Sequence, residues 1–167
     1  MTLQEYQLSA KRTCPSLGSD KLDLSHMVLG IFSEFEEYHN ATDWVNKIEE
    51  VTDIMWYLAN YCTFRGYDLS TIWDNKKPTI KRFTINVSVL QDVVKKYIAY
   101  NKAINTATEL KVLLNICWNL SSMYADTNIE QALQNNIDKL KVRYPDKFSE
   151  ELALNRDLDK ERKELEK

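Results

Sequence analysis

Glycine and proline are scarce, three of each in 167 residues. That leaves little material for tight turns and favours long helices. The three cysteines, Cys14, Cys62 and Cys117, are odd in number, widely separated and form no CxxC pair. This excludes a disulfide framework or a zinc ribbon and predicts buried thiols in a reducing compartment. Only two histidines are present, and neither His26 nor His39 has a partner at metal-ligand spacing. A net charge of −3 gives no electrostatic footprint for duplex nucleic acid. No apolar run approaches the ~18 residues of a membrane span, and the polar N-terminus lacks a signal-peptide core. Cytoplasmic placement is expected, with no nucleic-acid or membrane partner. With 44 % hydrophobic residues, the chain can build a core of its own.

The patterning predicts an all-α single domain over 1–167. Residues 1–13 read as an amphipathic helix with Leu3, Tyr6 and Ala10 on one side, followed by a loop over 14–24. A helix is expected from Ser25 to His39, with Val28, Ile31, Phe32 and Phe35 as its core stripe. Thr42 or Asp43 can cap the next helix, which runs to Phe64 and closes on Gly66. Residues 74–88 read as loop or extended chain. Further helices are predicted over Val89–Asn105, Thr108–Tyr124 and Asn128–Pro145. Residues 149–167, almost all charged or Leu, read as a solvated helix or fraying tail. An offset of sixty matches residues 53–62 to 113–122 in hydrophobic pattern. A duplicated helical hairpin within 74–130 explains this, and so does a generic amphipathic pattern.

Two acidic pairs stand out: Glu34-x-x-Glu37 and Glu50-x-x-Asp53, with twelve residues between them. A three-residue helical step turns about 300°, so each pair shares one face within roughly 60°. If the two helices pack as a hairpin, four carboxylates converge. They would repel one another unless a cation sat among them, and clustered oxygens suit Mg²⁺ or Mn²⁺. Asp53 is a poor mid-helix residue that interrupts an apolar run. Gly30 lies one turn before Glu34, where its use would be to open space beside the acids. The alternative is that these are ordinary exposed helix acids. Asn136, Lys139 and Arg143 share one face of a later helix, where Lys and Arg can hold phosphate oxygens or simply be solvated.

With these residues in view, the chain resembles the MazG family of all-α nucleoside triphosphate pyrophosphohydrolases. LGIFSEFEEY (29–38) followed by NKIEEVTDIMWYLA (46–59) is similar to that family's E-x-x-E, spacer, E-x-x-D pattern. EYQLSAKRT (5–13) resembles the first helix of its phage and bacterial subgroup, and NNIDKLKVRYPDKFSEELALNRD (135–157) its C-terminal signature. The chain departs from the pattern at Phe35, Glu36 and Thr52, where smaller residues are usual, and 74–130 is longer than in the minimal fold.

The resemblance implies Mg²⁺ (or Mn²⁺) held by Glu34, Glu37, Glu50 and Asp53, and cleavage of a nucleoside triphosphate to the monophosphate and pyrophosphate. Glu37 would orient or deprotonate the attacking water. Asn136, Lys139 and Arg143 would hold phosphate or sugar, joined by Tyr144, Asn155 and Arg156, in the same or a neighbouring subunit. A homodimer or homotetramer is implied. A non-catalytic helical interaction module that kept the fold is the competing reading.

Overall fold

The structure, a computed structural model, describes residues 1–76, 82–124 and 126–167. Among them the chain forms nine α-helices and no strand, as the patterning predicts. Helix α1 (Leu3–Arg12) opens with a capping box between Thr2 and Glu5. Helix α2 (Asp20–Asn40) is capped by Ser19 and α3 (Trp44–Arg65) by Asp43, whose side chain accepts from the Asn46 amide. Gly66, at φ +69°, ends α3 in the left-handed region that glycine enters without strain. The short link 41–43 forces α2 and α3 into an antiparallel hairpin, the most extensive helix pair in the fold.

Helices α5 (Phe83–Tyr100) and α6 (Thr106–Met123) form a second hairpin, with α5 packed on α2. Helices α1 and α7 (Ile129–Arg143) pack against α3, and α9 (Leu158–Leu165) lies along α7. Shifted by sixty residues, α2 falls on 80–100 and α3 on 104–125, over α5 and α6. The acids have no counterpart: Glu34, Glu50 and Asp53 map onto Val94, Leu110 and Leu113. The second hairpin packs apolar side chains where the first presents carboxylates. The hairpins are tied together by Glu109, fully buried, which accepts from Tyr61 Oη at 2.5 Å, Arg65 Nε at 2.7 Å and Tyr67 Oη at 2.6 Å.

Several boundaries differ from expectation. Helix α2 begins at Asp20 rather than Ser25, because Ser19 caps it and two aspartates favour its first turn. Helix α5 begins at Phe83 rather than Val89; Phe83 stacks on Phe35 at 4.4 Å, and this packing overrides the weak helix preference of the β-branched Thr84, Ile85 and Val87. The remaining part of the expected 74–88 loop includes 77–81, outside the described residues. The six-residue α4 (Leu69–Asp74), capped by Asp68, had no counterpart among the expected elements. Of the two forms expected for the charged C-terminus the helical one is found: α8 (Glu150–Leu154) and α9 follow α7, largely solvated except that α9 buries Glu161. No helix among the described residues is long and apolar enough to cross a membrane.

Candidate metal centre

The i, i+3 spacing places each acidic pair on one helical face, and the hairpin brings the two faces together. Glu34 from α2 and Glu50 and Asp53 from α3 each offer a carboxylate oxygen within 4.8 Å of the others. Glu37 falls outside this trio; it is exposed, one turn further along α2, and lines the same cavity. Three of the four expected ligands are therefore gathered, and the fourth stands beside them.

The crowding has an electrostatic signature. Burial pushes Glu34 up to about 9, helped by the charges of Asp53 and Glu37. Burial and Asp53 push Glu50 up to about 7. Glu34 thus keeps its proton at neutral pH and shares it with Glu50, so the pair does not face two bare charges. A divalent cation would offset the same repulsion with all oxygens ionised.

Asp53 is held from behind. Lys139 Nζ donates to both of its oxygens, at 2.8 and 2.7 Å, and to Glu49 Oε1 at 3.2 Å. Asn136 Nδ2 donates to Asp53 Oδ1 at 2.6 Å and to Thr52 Oγ1 at 3.1 Å, while its Oδ1 accepts from Tyr6 Oη at 2.9 Å. Asn136, Lys139, Tyr6 and Thr52 are all fully buried. Burial pulls the Lys139 ammonium down, but Asp53 and Glu49 outweigh it and hold it above its usual range.

This corrects the expectation for two residues. Asn136 and Lys139 share a helix face with Arg143, yet every donor they carry is engaged inside the protein. Neither is on the cavity wall; their geometry suits orienting Asp53, not grasping a ligand. Tyr6 and Thr52 complete the network and were given no site role from the sequence. The signals were Tyr6's place on the apolar side of α1, which does not reveal its hydroxyl, and Thr52's departure from the family pattern.

The trio opens onto a cavity of about 1200 Å³. Its wall carries eight acidic side chains, the protonated Glu34 among them, against the three guanidiniums of Arg143, Arg156 and Arg162. The acidic excess on this wall disfavours a bare polyanion and favours a cation or a cation-neutralised anion. Trp56, Tyr57, Tyr144 and Phe148 give the same cavity an aromatic side. Gly30 does not leave open space beside the acids, as expected, but admits the Tyr57 ring: a Cβ there would meet Tyr57 Cε1 at 2.2 Å.

Of the remaining expected site residues, Arg143, Tyr144 and Arg156 line the cavity. Arg143 and Arg156 both pair with Glu161, through contacts of 2.5 and 2.7 Å. Asn155 is exposed, bonds the Glu151 carbonyl at 2.8 Å and does not reach the wall. His26, given no role from the sequence, lies on the wall edge-on to Tyr57 at 5.6 Å, its Nδ1 buried without a partner among the described residues. Burial lowers its basicity. No protein-family model, no curated protein and no solved structure matches this chain.

Proposed function

We propose that the protein is a Mg²⁺-dependent nucleoside triphosphate pyrophosphohydrolase, cleaving between the α and β phosphates to release the monophosphate and pyrophosphate. The observation that carries this reading is the trio Glu34, Glu50 and Asp53, gathered on the wall of a cavity large enough for a nucleotide. The residues fit the cation: the donors are all carboxylate oxygens, as Mg²⁺ and Mn²⁺ prefer, and neither thiolate nor imidazole belongs to the group.

When bound, such a cation neutralises phosphate charge and makes water more acidic. The chain's own groups supply the rest. Lys139 and Asn136 fix the orientation of Asp53, so the site is formed before the ligand arrives. Glu37 is exposed on the cavity wall and can accept a proton from the attacking water. Arg143 and Arg156 offer fork-shaped donors to phosphate oxygens. Trp56, Tyr57, Tyr144 and Phe148 give the base an apolar, stackable wall. A housekeeping role in the cytoplasmic nucleotide pool fits this chemistry. The exposed Leu22, Leu29 and Phe32 of α2, with Ile85 and Ile98 of α5, provide the surface for the expected homodimer or homotetramer.

The test is pyrophosphate release with Mg²⁺ across the common nucleoside triphosphates, their deoxy forms and dUTP, with Asp53→Asn as control. Metal-dependent release that the variant lacks supports the reading. Silence on every nucleotide, with no cation binding, favours the non-catalytic module instead.

A further inference from the structure

We propose that α9 is a strap across the carboxylate cavity, fastened by Glu161 seated between Arg143 and Arg156, and that a phosphoryl anion entering the cavity takes that seat and releases the strap. The identity of the natural anion rests on the pyrophosphohydrolase reading; the strap itself does not.

The way α9 is attached carries the argument. Its one buried residue is a charged one, Glu161, 2 % exposed, while its Leu158 is 61 % exposed; α8 before it buries none. Leu165 is half-buried, so apolar burial supplies a part of the hold and the ion pairs the rest. The carboxylate of Glu161 is gripped by Arg143 through Nε at 2.9 Å and Nη2 at 2.5 Å, and by Arg156 through Nη2 at 2.7 Å. The other end of the grip is Arg162, which reaches Asp43 at 3.2 Å and the Asn46 side chain at the start of α3. The strap thus spans from α7 to the N-terminus of α3, and Glu161 and Arg162 both face the cavity that holds the acidic trio.

A two-pronged guanidinium grip on a carboxylate has the same geometry as its grip on a phosphate. A phosphoryl group brings three acceptor oxygens and a charge near −2, where Glu161 brings two oxygens and −1. In the exchange both arginines stay paired, and Glu161 moves to water, where a carboxylate is well solvated. Because Leu165 is the one leucine of α9 that is even half-buried, release exposes little apolar surface. Glu161 therefore acts as an internal stand-in for the anion, closing the cavity until a stronger ligand arrives.

The test is amide hydrogen exchange on the full chain, wild type, Glu161→Gln and Arg156→Gln, with and without inorganic pyrophosphate and Mg²⁺, alongside direct pyrophosphate titration. Replacing one partner of a charge-assisted fork predicts roughly tenfold faster exchange in α9 for Glu161→Gln, with α3 and α7 unchanged. Pyrophosphate should speed α9 exchange in the wild type and bind Glu161→Gln about tenfold more tightly. Arg156→Gln, whose side chain is 39 % exposed, should loosen α9 in the same direction even if Glu161→Gln fails to fold. Unchanged α9 exchange in the variants that fold, slower exchange on adding pyrophosphate, or no pyrophosphate binding to any of the three proteins overturns the strap. Absence of nucleotide turnover alongside the predicted exchange and binding sinks the hydrolase reading and leaves the strap standing.

Discussion

Replacing Lys139 by methionine keeps the length and volume of the side chain and removes its charge. The Lys139 side chain is 1 % exposed and faces Asp53 and Glu49, whose side chains are 25 % and 18 % exposed. Stripping one partner from a fully buried ion pair costs about 3–5 kcal/mol, chiefly through the charge left behind. Here the stranded carboxylates reach the water of the cavity, which lowers the reckoning to about 2–3 kcal/mol. For a domain of this size each kcal/mol moves Tm by about 2–4 °C, so the melt should fall by about 5–10 °C. Urea denaturation of wild type, Lys139→Met, Asp53→Asn and the double variant isolates the pair. Because Asp53→Asn removes the stranded charge, the double variant should be more stable than the two single effects sum to, by about 1–2 kcal/mol. A Lys139→Met protein within about 0.5 kcal/mol of wild type, or strict additivity, would refute the claim that Lys139 supports Asp53.

Three further outcomes are expected. Glu34 holds its proton to about 9 in the folded protein against an ordinary 4.5, and Glu50 to about 7. The folded state therefore binds more protons than the unfolded chain over that window, and metal-free stability should fall as pH rises from about 5 towards 9. Added Mg²⁺ should flatten this decline, as urea melts across pH would show; metal-free stability that rises with pH would contradict it. Gly30→Ala gains helix propensity but drives a methyl group into the Tyr57 ring, so calorimetry should show a net loss of about 1–3 kcal/mol. Glu109→Leu strands Arg65 and the Tyr61 and Tyr67 hydroxyls and should cost about 3 kcal/mol in a urea melt, with cation binding at the acidic trio unchanged.

The helical hairpin was legible because its signals are local: the capping Asp43, the left-handed Gly66 and the apolar stripes each act within a turn or two. The convergence of Glu34, Glu50 and Asp53 follows from spacing once α2 and α3 are antiparallel. Depth was not legible. Spacing puts Asn136, Lys139 and Arg143 on one face of α7, but only the packing of α7 on α3 decides that the first two are sealed behind Asp53 and the third faces the cavity. The docking of the C-terminal helix was hidden for a related reason. Glu161 is buried because Arg143, eighteen residues earlier, and Arg156, five residues earlier, meet it in space, and no local pattern encodes that meeting. The start of α5 was hidden by β-branched residues whose intrinsic preference yields to the Phe35–Phe83 contact.

The measurement that bears most directly on the account is Mn²⁺ titration of the metal-free protein, followed by loss of the free-ion spin-resonance signal. Saturable binding that Asp53→Asn and Glu50→Gln each weaken at least tenfold, and that substitution of the exposed Tyr100 leaves alone, is the predicted result. No saturable binding in the wild type, or binding that survives both acid substitutions unchanged, would contradict a metal centre at the α2–α3 hairpin.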